Sequence, residues 1–262
     1  MYLEHWGLGE SPFEKAPDLK FIYHSREFEE AAARLQFAVD RNKGAAMLTG
    51  EHGTGKTTSL IHLADTLSRS DAELILIANP LLKPMEFLKA MAYQMDIDMN
   101  ALPTKADLLH ALHSKMLRNT KEKRDTILII DEAQDMPDAT LEEIRLLLNF
   151  QSEDRFLMNV VLAGQAGLRE KLWEMKQLDQ RIAVRYHIKP MDFEDTAEYI
   201  SSRLKTAGAA RRIFTFEAVV EIHGSTRGVP LLINDICVRS LEKGSEEGVG
   251  AIGAETVKVV KG

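Results

Sequence analysis

Cysteine is all but missing. Cys237 stands alone among 262 residues, so no intramolecular disulfide can form and the fold must rest on its core. That suits a reducing compartment, and the chain is expected to be cytoplasmic. No apolar run approaches the ~20 residues needed to cross a bilayer. The start, Met1-Tyr2-Leu3-Glu4-His5-Trp6, has neither the basic opening nor the apolar stretch of a secretory signal. The sequence therefore predicts a soluble chain without membrane insertion. An excess of positive charge is also lacking. A formal net charge of -7 excludes nucleic-acid binding through the overall field and leaves room only for a local basic patch. The hydrophobic content of 45% and charged content of 28% are those of an ordinary globular protein. The length allows one large domain or two unequal ones.

What is present centres on Gly50-Glu51-His52-Gly53-Thr54-Gly55-Lys56-Thr57, directly after the apolar Ala45-Ala46-Met47-Leu48. Every fixed position of the phosphate-binding pattern G-x-x-x-x-G-K-[ST] is filled. Glycines at 50, 53 and 55 let the backbone curl so that successive N–H groups face a polyphosphate. Lys56 adds a mobile cation for the β- and γ-phosphates, and the Thr57 hydroxyl suits Mg²⁺. The spacing predicts a helix from Thr57 to Leu67, whose N-terminal dipole would face the anion. His52 is expected to point outward, because backbone N–H groups do the loop's work.

Around this loop the chain alternates. Residues 1–25 read as an irregular strap, broken by Gly7, Gly9, Pro12 and Pro17 and anchored by Trp6, Phe13, Phe21 and Tyr23. Ser25 caps a helix over 26–40. Short apolar runs near 45–49, 73–78, 126–130, 160–163 and 184–188 read as strands, that at 73–78 as one buried on both faces. Helices are expected between them at about 84–96, 104–120, 141–150 and 166–176. Met85, Met91, Met95 and Met99 read as packing rather than a cofactor box. Such alternation implies an α/β sandwich with a five-stranded parallel sheet. After Lys189-Pro190 no strand-like run remains. Helices capped by Asp192 and Thr215, and one over 229–243, predict a small all-α domain at 191–262, following a nucleotide domain at 1–190.

Three further features bear on chemistry. Asp131-Glu132 ends a buried strand, where Asp131 suits Mg²⁺ binding and Glu132 suits polarisation of an attacking water. Gln165 ends a neighbouring strand and is placed to reach the γ-phosphate or that water. Arg181 and Arg185 precede or begin the last strand, and either could reach a neighbouring subunit's nucleotide as an arginine finger. Two basic runs, Lys115–Arg124 and Arg203–Arg212, read as solvated helix faces, since neither interleaves aromatics for base stacking. The histidines at 62, 110 and 113 form no metal-ligand pattern with cysteine.

The whole chain resembles the AAA+ ATPase module of the ExeA (general secretion pathway protein A) family. The resemblance is carried by Gly7-Leu8, Ser11-Pro12-Phe13, Phe21-Ile22-Tyr23, Gly50 to Thr58, Asp131-Glu132-Ala133-Gln134, Leu162-Ala163-Gly164-Gln165 and Arg227-Gly228-Val229-Pro230-Leu231-Leu232-Ile233-Asn234. It implies a three-layer αβα P-loop fold with a helical lid, and Mg-ATP as cofactor. It also implies Gln165 as sensor 1, Arg181 as the arginine finger, and adenine enclosed by the segment around Phe13, Ile22 and Tyr23. Thr54 and Thr58 join the loop contacts. Family members place an arginine after the lid proline; here Leu231 stands there, which implies slow hydrolysis or a substitute in Arg227. By this resemblance the chain forms a nucleotide-dependent homo-oligomer serving a secretion or cell-envelope partner. Similar short ATPases resemble transposition regulators, for which transposase and DNA would be the partners. A third reading is an ATP-binding scaffold with little turnover.

Overall fold

The computed structural model describes residues 2–14, 16–99, 104–152 and 155–261. Chain order begins with α1 (Tyr2–Trp6), α2 (Arg26–Asp40), β1 (Ala45–Gly50), α3 (Lys56–Ser68) and β2 (Glu73–Ile77). It continues with α4 (Pro84–Gln94), α5 (Lys105–Lys121), β3 (Thr126–Ile130), α6 (Asp138–Leu147) and a short ribbon of β4 (Gln151–Ser152) and β5 (Arg155–Phe156). Then come β6 (Asn159–Gly164), α7 (Gly167–Glu174), α8 (Lys176–Asp179) and β7 (Ile182–Ile188). The last helices are α9 (Phe193–Thr206), α10 (Phe216–Thr226), α11 (Pro230–Glu246) and α12 (Ala254–Lys261).

Two compact units divide the chain. One holds Ala31–Gly50 and Ser59–His187; the other holds Met1–Glu30, Glu51–Thr58 and Ile188–Gly262. The first is built on a five-stranded parallel sheet in the order β2-β3-β6-β1-β7. Its central strands are wholly buried, as their unbroken apolar runs require. Register aligns Thr49 with Gly164 and Ile130 with Leu162, so β1, β3 and β6 end together at one sheet edge. Helices α4 to α7 supply Phe87, Leu112, Ile144 and Leu168 to the core against this sheet. Met91 and Met95 lie fully inside it and Met85 and Met99 pack at its margin, so the methionine set is packing. At the outer edge of β2 the Gln94 carboxamide bonds both Leu76 N and Leu76 O, at 2.8 and 2.9 Å. A side chain there takes the place of a sixth strand.

The second unit is helical. Trp6, Phe13 and Phe21 of the N-terminal strap pack with Ile200, Ile222, Ile233 and Leu241 in one core. Trp6 Nε1 donates to Leu241 O at 2.9 Å, and the Arg203 guanidinium donates to Pro12 O at 2.6 Å. The caps fall where expected: Asp192 accepts from Asp195 N at 2.8 Å and Thr215 from Ala218 N at 3.3 Å.

Several elements differ from the sequence expectations. The strap is not wholly irregular, since Tyr2–Trp6 is helical. Helix α6 starts three residues early, at Asp138 after Pro137, whose carbonyl accepts from Thr140 N and Leu141 N at 2.9 and 3.1 Å. The 166–176 helix breaks at Met175, whose ψ of 63° interrupts it. Helix α12 lies where the sequence reading placed no helix; Val257 of it is buried, and it packs against α10 and α11.

Candidate functional site

The phosphate-loop sequence adopts the shape that its glycines allow. Gly53 has φ +79° and Gly55 φ +104°. Thr54 Oγ1 donates to Glu51 O at 2.9 Å, closing the curl, and Thr54 N also reaches Glu51 O at 3.4 Å. Lys56 opens α3 and is 5% exposed, with its ammonium turned onto Glu51 O at 2.9 Å. Glu51, His52 and Thr57 are exposed; Thr58 is half-buried. Over the loop, Leu231 N donates to Gly53 O at 3.3 Å, and a Cβ on Gly53 would lie 2.5 Å from Leu231 Cβ. Position 231 is thus filled by an apolar contact with the loop.

Beside this loop lies a small cavity of about 70 Å³. Ile22 and Tyr23 line it together with Thr54, Gly55 and Thr58, so the structure brings the strap residues and the loop together. Tyr199 and Arg203 of α9 also line it. The sequence reading missed both. Their i, i+4 spacing on one helix was the available signal, but Arg203 was read as part of a solvated run. It is 9% exposed, donates to Tyr199 Oη at 2.7 Å and stacks over the Phe21 and Tyr199 rings. The Tyr23 hydroxyl donates to Glu198 at 2.8 Å and Asp195 at 3.2 Å; burial and these carboxylates push its ionisation well above the ordinary tyrosine range. Arg227 caps α10 in the left-handed region, with φ +51°, and its side chain is exposed, outside this lining.

The acidic strand tip is equally specific. Asp131 follows β3 directly and accepts from Glu132 N at 2.9 Å. Glu132 takes φ +50°, a left-handed conformation costing a non-glycine residue about 1–2 kcal/mol. Such strain at a polar strand end is typical of functional positions. Gln134, named in the sequence only as part of the Asp131–Gln134 motif and given no role there, ties the tip together. Its Nε2 donates to Glu132 Oε2 at 2.7 Å, while its Oε1 accepts from Gln165 N at 3.0 Å. Gly164 permits this bridge, since a Cβ there would meet Gln134 Oε1 at 2.5 Å. Arg181 is half-buried, its Nη2 donating to Asn149 Oδ1 at 2.8 Å. Arg185 is paired with Asp179 at 2.7 Å.

The chemistry of the loop's donors fits the phosphates of a nucleotide: a curled backbone, an ammonium at Lys56 and a hydroxyl at Thr57. No cluster of three or more histidine, cysteine or carboxylate side chains occurs among the described residues, which leaves no all-protein metal cage there. A magnesium held chiefly by phosphates and water needs none.

Residues 39–172 match the model of the AAA domain family, and the chain belongs to the AAA family. It is an AAA+ module similar to the general secretion pathway protein A of Aeromonas hydrophila. The two are 37% identical over 246 residues, covering 92% of this chain and 44% of that relative. The chain thus spans under half the relative's length. Among solved structures, Cdc6p of Pyrobaculum aerophilum superposes with TM-score 0.72 at 18% identity, covering 92% of this chain and 67% of that one. The ORC2 protein of Aeropyrum pernix gives 0.68 at 13%, covering 96% and 70%. At such identities these two report the fold alone. No helix among the described residues is long and apolar enough to cross a membrane.

Proposed function

We propose that the chain binds and hydrolyses Mg-ATP to drive assembly or remodelling of a multiprotein complex in secretion or the cell envelope. The observation that carries the reading is the shared sheet edge at which β1, β3 and β6 end. There the chain runs into the phosphate loop, the Asp131-Glu132 tip and Gln165 respectively, and ligands gather at such edges in α/β sheets. Gly50 to Thr58 would cradle the phosphates through backbone N–H groups, with Lys56 turning from Glu51 O to the anion. Ile22 and Tyr23 would enclose the adenine. When bound, Mg²⁺ neutralises phosphate charge, and Thr57 and Asp131 are the residues to hold it. Glu132 would orient and deprotonate the attacking water, held by Gln134, with Gln165 reading the γ-phosphate. Arg181 would act on the nucleotide of a second copy in a homo-oligomer.

In this reading residues 1–190 form the nucleotide-binding body with its strap at 1–25, and residues 191–262 form the lid. Similarity to the secretion relative supports the envelope role over a regulator of transposase and DNA. Steady-state ATPase assays test the proposal: turnover in the wild type, abolished by Glu132→Gln with ATP binding intact, is expected. Hydrolysis unaffected by that substitution would remove it. A second reading, an ATP-binding scaffold of low turnover, is favoured by the apolar Leu231–Gly53 contact. The wild-type rate separates the two.

A further inference from the structure

Both basic runs keep exposed cations, and those of the second line a groove. In the first, Lys115 and Arg124 are spent on the buried Glu73 carboxylate, at 3.4 and 3.3 Å. In the second, Lys205, Arg211 and Arg212 are exposed and have no ion pair or side-chain hydrogen bond among the described residues. These three cations surround a groove of about 360 Å³ between α9 and α10. Its floor is apolar, with Ile200, Leu204, Ile213, Phe214 and Val219, and no aspartate or glutamate lines it. Phe216, 60% exposed, stands at the same mouth, and Val220 beside it on α10 is 45% exposed.

We propose that this groove binds an acidic, amphipathic peptide segment of a partner protein. An apolar side chain would seat on the Ile200–Leu204–Phe214 floor, and flanking carboxylates would meet Lys205, Arg211 and Arg212. Charge selects the occupant. In a chain of net charge -7, three unpaired cations around an apolar slot attract carboxylates and repel basic segments. Size selects it as well, since the volume admits one or two large side chains rather than the face of a folded domain. The backbone supports an extended ligand too. The N–H groups of Ala210, Arg211 and Arg212 donate no hydrogen bond among the described residues, which leaves main-chain donors for an incoming strand. The inference does not depend on nucleotide binding, because every residue it uses lies in 197–220.

A random peptide phage library panned on the intact chain tests it, without nucleotide. Selected peptides are expected to combine Asp or Glu with Leu, Ile or Phe, and to bind less tightly as salt rises. Lys205→Glu/Arg211→Glu/Arg212→Glu should weaken the selected peptide at least about tenfold by fluorescence anisotropy. Ala210→Trp, a plug at an exposed lining position, should do the same without altering charge. Circular dichroism melts confirm that both variants stay folded. Failure to enrich any acidic, apolar motif would overturn the proposal. So would equal affinity in either variant, or saturable binding of dodecanoate or duplex DNA at this groove in place of the peptide. A change in oligomeric state of the triple variant by light scattering would make the groove a contact between copies and overturn it also.

Discussion

Leu231 lies directly on Gly53, the lid residue donating its backbone N–H to the loop carbonyl at 3.3 Å while its Cβ leaves no room for a loop side chain. Two effects therefore coincide at Gly53: φ of +79° and the absence of space. Gly53→Ala is expected to cost about 1–2 kcal/mol from the left-handed backbone alone, and more from displacing Leu231. Isothermal titration should show ATP affinity reduced by an order of magnitude or so. Leu231→Arg supplies the cation that the family resemblance implies at this position, and a several-fold rise in kcat is expected because charge is added where it develops. An unchanged kcat would show that the lid position has no part in turnover.

Gln134 joins Glu132 to the strand end at Gln165. Removing its carboxamide in Gln134→Ala leaves the Glu132 carboxylate free to rotate. The expected result is a fall in kcat of ~10-fold or more with KM nearly unchanged, the pattern of lost orientation rather than lost binding. Gln134→Glu keeps the shape but sets two like charges together, and it should be at least as slow. A rise in KM alone would place Gln134 in binding instead.

Much of this was legible in the sequence for one reason: buried parallel strands are short apolar runs, and their ends are marked by residues that no core would tolerate. Asp131 and Gln165 could be placed at one edge without coordinates. What could not be read were contacts that the chain makes at long range. Arg203 sits in a basic run yet is buried by Pro12, Phe21 and Tyr199. Lys205, Arg211 and Arg212 of the same run remain in water. Charge periodicity cannot separate them, because the strap that covers Arg203 lies 191 residues away in the chain. Gln134 stood in a motif the sequence shows, but its bridge to Gln165 N spans 31 residues and carries no local pattern.

Arg181 now donates to Asn149 Oδ1 at 2.8 Å, an exposed bond to a neutral partner that costs little to exchange. Arg181→Ala should therefore leave the fold and ATP affinity intact while lowering turnover ~100-fold or more, as loss of an arginine finger does. Mixing it with Glu132→Gln subunits should restore part of the activity, since each variant supplies the group the other lacks. Normal assembly without rescue would rule out a site shared between copies.

Burial pushes the Cys237 thiol well above its ordinary range, and burial likewise raises Tyr199 against the opposing pull of Arg203. Both groups hold their protons more tightly folded than unfolded. Their contribution to stability is thus complete below the unfolded pKa values and is lost as pH rises towards the folded ones. Urea unfolding should show stability falling above roughly pH 8.5, the unfolded thiol value, by up to about 1.4 kcal/mol per pH unit for one group. In Cys237→Ala the decline should begin only near pH ~10, where unfolded tyrosine ionises. Identical profiles for the two proteins would contradict the thiol's part.

The most direct measurement is calorimetric titration of ATP with Mg²⁺ into the wild-type chain and into Lys56→Ala. The wild type is expected to bind one nucleotide per chain, and the variant to lose at least about a hundredfold in affinity, ~2.7 kcal/mol. Absence of heat from the wild type, or equal affinity in the variant, would contradict a phosphate site built on Gly50 to Thr57.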